Sequence, residues 1–309
     1  MFTHLQVHTH YSLLEAIGSP KAYVEQAKNL GMESLAITDY AGMYGVVEFY
    51  QAAKKAGIKP LLWVELGYVP DMNRKDPWEL AGMIVLLATS YVWYRNLLHL
   101  VSAAHMEWFH TIPRIDAACL REWAGDLISI SWWLRSRIGR WLMQNSSSEQ
   151  LADQRQQLKT ILHDDNCFLS WTVQDKPAWK IHEANIAIQS FAEKNGTPLL
   201  ISGDVHYIHA KDQEIFETAL AIKDGKRIYD TDRRLASHQL HLQSQEEITH
   251  GLEKAWWSAE TITQWFSTIQ TIVDRIDITI PMDTILFPKY EVPEDISKLY
   301  TEQKESLII

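Results

Sequence analysis

Imidazole and carboxylate side chains stand along this chain at spacings that suit metal chemistry. His4, Gln6, His8 and His10 alternate at its start. Successive side chains of a β-strand point to opposite faces, so in a strand all four would share one face. A second acid–imidazole pair, Asp204-Val205-His206, follows the apolar run Pro198-Leu199-Leu200-Ile201. Neutral imidazole nitrogens and carboxylate oxygens are donors that divalent ions take. Two distant strand ends carrying them suggest one shared pocket, and metal-assisted hydrolysis is the chemistry such a pocket supports. The plainer alternative is that Asp204 and His206 form a hydrogen-bonded pair holding a loop. His4 is read as an exposed strand residue without a role.

The elements that must position these residues alternate. Short apolar runs predict strands over 2–8, 34–38, 61–65, 83–88, 127–131, 168–173 and 199–202. Helical patterns lie between them, among them 149–162 and 180–195. One begins at Ser19-Pro20, a cap followed by proline at the first helical position, and stops at Gly31. About seven βα units result, which is the pattern of an α/β protein. His and carboxylate residues recur at the C-terminal ends of several runs, where barrel enzymes place their sites. That favours a closed barrel over residues 1–210 rather than an open doubly wound sheet. Residues 211–280 carry an amphipathic helix whose apolar stripe is Ile262, Trp265, Phe266, Ile269, Ile272, Val273 and Ile276. From 281 to 309 the chain is proline-punctuated and polar, like a linker.

Composition narrows the function. The 309 residues are 46% hydrophobic and carry a formal net charge of −10. An acidic chain gains no counterion-release affinity for nucleic acid, so any dealing with DNA is expected to be indirect. Cys119 and Cys167 build no disulfide framework, which suits a reducing cytoplasm. No signal-peptide pattern opens the chain, and the best apolar run, 83–88, is too short to span a bilayer. Tryptophan and glycine each number 13, whereas an average glycine usage of about 7% would give roughly 22.

Several stretches together resemble one family. They are His8-Thr9-His10-Tyr11-Ser12-Leu13-Leu14-Glu15, Leu35-Ala36-Ile37-Thr38-Asp39, Gly45-Val46-Val47-Glu48-Phe49-Tyr50, Ala56-Gly57-Ile58-Lys59-Pro60, Tyr94-Arg95-Asn96-Leu97-Leu98, Pro113-Arg114-Ile115-Asp116 and Asp204-Val205-His206-Tyr207. In this order the chain resembles the N-terminal PHP (polymerase and histidinol phosphatase) domain of bacterial DNA polymerase III alpha subunits. The resemblance implies a distorted (β/α)7 barrel with a C-terminal helical extension and a linker toward a polymerase domain that this stretch lacks. It also implies a pocket for up to three divalent ions, Zn²⁺ or Mn²⁺. The implied partners are the polymerase core of the same subunit and a proofreading exonuclease subunit.

Carried over position by position, the resemblance implies His8, Glu15, Glu65, Asp204 and His206 as metal ligands. Glu15 stands in place of the usual Asp. Asp39 and His10 would be neighbouring groups that orient ligands. Four implied ligand positions are lost, at Gln6, Tyr40, Met83 and Trp133. An amide, a thioether and an indole are poor ligands for such ions. A reduced or absent metal site is therefore expected, and with it a non-catalytic structural and interaction module in DNA replication. The alternative is a metal-dependent phosphoesterase resembling 3′–5′ exonucleases. Trp63, Trp93 and Trp132 stand where the resembled family has glycine. The expectation is that such tryptophans are UGA codons meaning glycine in the source, and that tryptophan there clashes or requires positive φ.

Overall fold

The computed structural model describes residues 2–69, 71–73, 82–130, 156, 160–162, 164–173, 179–236 and 239–283. The expected helix over 149–162 lies almost wholly outside the described residues, as do Trp132, Trp133 and most of the expected linker. Two compact units divide the chain, Met1–Ile278 and Thr279–Ile309. The first unit holds the sheet and the helices packed around it.

Its frame is a curved sheet of β1 (Ser34–Tyr40), β2 (Lys59–Tyr68), β3 (Gly82–Leu87), β4 (Arg114–Ile115), β5 (Ile128–Ile130), β6 (Cys167–Thr172) and β7 (Leu199–Ser202). The order is β1-β2-β3-β5-β6-β7, with β4 pairing β2 off this path. β3 runs antiparallel to both β2 and β5, while the other pairs are parallel. Both faces of the central strands are covered. Pro60 to Tyr68 of β2 are all buried, which is why the strand reads as a continuous apolar run rather than an alternation.

The expected first strand over 2–8 is not a regular strand. Ala36 N–H donates to His4 O at 3.1 Å, and Thr38 N–H to Val7 O at 2.8 Å. Two residues of β1 thus span three of the segment, and one extra residue breaks a ladder as a bulge does. The Thr38 hydroxyl compensates, donating to Leu5 O at 3.1 Å and accepting from Val7 N–H at 3.4 Å. On its other side the segment meets the turn after β7. Val205 N–H donates to Gln6 O at 3.0 Å and His8 N–H to Val205 O at 2.8 Å. Residues 4–8 therefore tie the β1 edge to the β7 end, as a barrel requires. Of the four residues expected on one face, Gln6 and His8 both approach Glu65 Oε2, whereas His4 turns to Gln243 O and His10 is exposed.

Helices surround the sheet. They are α1 (Pro20–Asn29), α2 (Val46–Ala56), α3 (Tyr91–Met106), α4 (Ala117–Trp123), α5 (Trp179–Asn195), α6 (Gln213–Lys223), α7 (Gln245–Lys254) and α8 (Ala259–Asp274). Ser19 caps α1 through Ala22 N–H, with Pro20 in the first turn. Ser244 and Glu247 form a capping box on α7. The α8 stripe is buried as expected at Ile262, Trp265, Ile269, Ile272 and Val273, and the helix packs on β7. Trp265 stacks on Trp171 of β6 with ring centroids 6.1 Å apart.

Among the described residues the non-glycine ones with positive φ are Leu14, Ala41, Asp204 and Trp256, so Trp63 and Trp93 are not among them. That corrects part of the expectation for them. Trp63 lies wholly inside β2, but its indole N–H has no hydrogen-bond partner. The Trp93 ring lies over Gly125, so close that a Cβ added there would meet it at 1.7 Å.

Candidate metal centre

Three side chains converge where residues 4–8 meet the turn after β7. The ligating atoms of His8, Asp204 and His206 all lie within 4.8 Å of one another, and all three residues are buried. Asp204 lies just past the β7 end with φ +45°, a left-handed conformation that Asp tolerates better than most residues. This places its carboxylate between two imidazoles. Oδ1 lies 3.3 Å from His8 Nε2, and Oδ2 lies 3.1 Å from His206 Nε2.

His206 Nδ1 lies 2.5 Å from the Glu15 backbone oxygen. A carbonyl only accepts, so Nδ1 carries a proton and donates. In the neutral ring Nε2 is then a lone pair, and it faces a carboxylate oxygen that is also an acceptor. That pairing demands either a second ring proton or a cation between the two. An imidazole that donates its other N–H to a carbonyl is the arrangement found in metal-ligating histidines.

His8 lies between two rings. Tyr40 stacks on it at 4.1 Å between centroids, and His206 at 4.6 Å. Burial pushes the His8 imidazole below its ordinary value, more than the neighbouring Asp204 raises it. The ring is therefore held neutral, as a ligand must be. Neither of its nitrogens has a hydrogen-bond partner, and Asp204 Oδ1 has none either. Orphaned buried polar atoms are costly, and two of them, His8 Nε2 and Asp204 Oδ1, face each other at 3.3 Å as the donors of one cation would. Burial alone would push the Asp204 carboxyl up, but the His206 and His8 rings outweigh it and hold it below the usual carboxylate range.

The other expected residues are placed differently. Glu65, at the heart of β2, has Oε2 3.7 Å from His8 Nε2, and that oxygen accepts from Gln6 Nε2 at 3.2 Å. Gln6 in turn accepts from the Ser202 hydroxyl at 2.7 Å. The amide thus acts as a strut between β7 and Glu65. Asp39 is filled by Thr9 N–H at 2.6 Å, the Thr9 hydroxyl at 2.8 Å and the Ser12 hydroxyl at 2.7 Å. It holds the turn after His8 in place. The Glu15 carboxylate is paired with Lys223 at 2.6 Å and stands outside the His8–Asp204–His206 group. His10 is exposed, with its ring edge-on to Tyr11, and does not reach the group. Met83 is the second residue of β3, opposite Gly67, and Trp133 lies outside the described residues.

His4 departs from its expected exposure. It is 1% exposed, with Nε2 2.8 Å from Gln243 O. The bulge and the closing role of the segment draw it inside. Gly203 makes room for it, since a Cβ there would meet the His4 ring at 2.9 Å. Sequence reasoning missed Ser202 and Lys223 as neighbours of the site. Their partners are 196 and 208 positions away, and no local pattern carries such a signal.

Residues 4–172 match the family model described as PHP domain. The chain belongs to the PHP domain family. Its relatives include DNA polymerase III subunit alpha of Thermus aquaticus, 30% identical over 305 residues, covering 95% of this chain and 24% of that protein. The same subunit of Treponema pallidum is 29% identical over 301 residues, covering 96% and 25%. This PHP domain is thus homologous to the N-terminal region of those subunits, and it spans about a quarter of their length. A solved structure described as a putative metal-dependent phosphoesterase from Bifidobacterium adolescentis is similar with a TM-score of 0.42 and 14% identity. That likeness covers 81% of this chain and 96% of the other. Among the described residues no helix is long and apolar enough to cross a membrane.

Proposed function

We propose that this PHP domain serves DNA replication as a non-catalytic structural and interaction module of a DNA polymerase III alpha subunit. In this reading it keeps one divalent ion where the resembled family holds up to three. The observation that carries it is the donor census around His8. Among the described residues, His8, Asp204 and His206 are the group whose ligating atoms all lie within 4.8 Å of one another. Asp39, Glu65 and Glu15 are engaged by hydroxyl, amide and ammonium groups. Two imidazoles and a carboxylate suit Zn²⁺, and Mn²⁺ less well. Bound there, the ion would neutralise Asp204 and crosslink the 4–8 segment to the turn after β7.

The reading divides the chain into a barrel core over 1–210, a helical extension over 211–280 and a linker over 281–309. The polymerase core of the same subunit would follow the linker, in the cytoplasm. A proofreading exonuclease subunit would dock on the domain, and DNA would be met only through these partners. The acidic charge of −10 supports that last point.

A second reading is a metal-dependent phosphoesterase of the 3′–5′ exonuclease kind. The observation in its favour is that three protein ligands leave a fourth position open, as catalytic zinc sites do. Native mass spectrometry after refilling with Zn²⁺, paired with an assay on a model phosphodiester, separates the two. One retained ion and no cleavage is the expected result. Two or three ions, with cleavage lost in Asp204→Asn, would establish the phosphoesterase instead. A chain that retains no ion at all refutes the one-ion site.

A further inference from the structure

Ala41 follows the last residue of β1, and its backbone is left-handed, with φ +52°. A residue with a Cβ is strained there and stays only where its surroundings hold it. Two hydrogen bonds do so. Ala41 N–H donates to Glu65 O at 2.7 Å, one step beyond the Tyr40–Glu65 pair that ends the β1–β2 ladder. On the other side of the residue, His105 Nε2 lies 2.5 Å from Ala41 O. A carbonyl only accepts, so this nitrogen carries a ring proton and donates. His105 comes from the last turn of α3, 64 positions along the chain from Ala41.

The turn at Ala41 ends the strand that carries the wall of the metal centre facing solvent. The His8 ring is stacked between Tyr40 at 4.1 Å and His206 at 4.6 Å. His8, Glu65, Gln6, Asp204 and His206 are all buried, whereas Tyr40 is partly exposed. The Tyr40 ring is thus the part of this wall that meets water. On its N-terminal side Tyr40 is held by β1 and by its own N–H, which donates to the Ser12 hydroxyl at 3.1 Å. On its C-terminal side the chain leaves through the strained residue. Relaxation of Ala41 toward an ordinary conformation would twist the bond to Glu65 O and fray the strand end at Tyr40. The bond from His105 opposes that relaxation.

We infer that His105 is a positioning residue of the metal centre: it latches the left-handed turn at Ala41, keeps the end of β1 closed and so holds the Tyr40 ring over His8. It acts through Ala41 and Tyr40 and is not a member of the His8–Asp204–His206 group. The latch sets how often the pocket opens to a solute.

The test reads access to His8 in the metal-free 309-residue chain, so it stands whether or not the one-ion reading does. Diethyl pyrocarbonate acylates neutral imidazoles that solvent reaches, and tandem mass spectrometry assigns the adduct to each histidine. Exposed His10 and buried His4 are references within the same chain. Wild type is expected to react fast at His10 and slowly at His8. His105→Leu, which removes the donor, is expected to react about tenfold faster at His8 with His4 unchanged, the scale on which a relaxed left-handed residue shifts a local opening. His105→Gln keeps an N–H donor at a similar reach and is expected to return to the wild-type rate. His105→Leu combined with Ala41→Gly is expected to return as well, because glycine adopts the left-handed turn without strain. An unchanged His8 rate in His105→Leu would overturn the latch. A rate at His4 that rises together with that at His8 would mean general loosening and would overturn it equally. A double variant as reactive as His105→Leu alone would overturn the route through Ala41.

Discussion

The Tyr40 ring lies nearly flat on the His8 imidazole, with centroids 4.1 Å apart and planes 16° from parallel. Tyr40 ends β1, and the same ring tilts toward His206 at 6.1 Å. The residue expected to be a lost ligand thus roofs the His8 and His206 rings with an aromatic face and supplies no imidazole nitrogen. Tyr40→His would put a ligating nitrogen beside His8. It is expected to tighten Zn²⁺ binding on the order of tenfold, or about 1.4 kcal/mol. Tyr40→Phe keeps the stack and is expected to change affinity little. Competition with a chromophoric chelator measures both, and equal affinity in wild type and Tyr40→His would refute the idea.

Asp204 is the one carboxylate of the converging group, and it sits in a left-handed conformation. Alanine there would mix lost ligation with backbone strain. Asparagine tolerates that conformation and keeps the size, so Asp204→Asn isolates the charge. Losing the only anionic ligand of the group is expected to weaken Zn²⁺ binding about 100-fold, close to 3 kcal/mol. The circular dichroism of the apo chain should stay unchanged. Retained affinity would mean that the ion sits elsewhere.

Much of this centre was legible in the residues, and its failures are specific. Apolar runs marked β1 and β7 nearly to their ends, and the middle of β2, because buried strands must be apolar. The pairs at His8 and at Asp204 to His206 were recognisable because imidazole and acid rarely recur at strand ends without a reason. The one-residue slip at 4–8 was not legible. It arises from how β1 and the β7 turn divide the segment between them, and it leaves the alternation of side chains intact in the sequence. Glu15 read as a ligand because its position was right, yet its charge is taken by Lys223, 208 residues on. Periodicity reports which face a residue occupies. It does not report which distant cation arrives there.

His4 makes stability depend on pH. Burial above all, with the nearby His241, lowers its pKa to about 4, and the Gln243 carbonyl and Glu247 offset this only in part. The unfolded chain takes up the same proton near 6.5. Between these values the unfolded state binds more protons. Stability is therefore complete above about pH 6.5, falls as pH drops toward 4 and levels off below. At pH 4.5 the loss is roughly 2–3 kcal/mol. Urea unfolding at pH 7 and pH 4.5 is expected to show a smaller loss in His4→Gln than in wild type by about that amount. The same loss in both proteins would assign the effect to other groups, His8 among them, since burial lowers its pKa too.

Trp256 occupies a position that four other helix ends among the described residues give to glycine. The residues that close α1, α2, α5 and α6 with positive φ are Gly31, Gly57, Gly196 and Gly225, at +73°, +78°, +57° and +65°. A Cβ added to any of these four meets nothing within 4 Å. Backbone conformation, not space, is what selects glycine there. Trp256 closes α7 in the same way at +67°, and it is 94% exposed, so its indole gains almost no packing. The left-handed conformation costs an L-residue about 1–2 kcal/mol. Trp256→Gly is therefore expected to stabilise the fold by about 1 kcal/mol, and Trp256→Ala, which keeps a Cβ, by much less. Calorimetric melting of the three proteins decides it, and a Trp256→Gly chain no more stable than wild type would remove the argument. The gene supplies an independent check. A UGA codon at position 256, as expected at Trp63, Trp93 and Trp132, would make glycine the residue the source places at this helix end. A UGG codon would leave Trp256 a true tryptophan holding a strained cap.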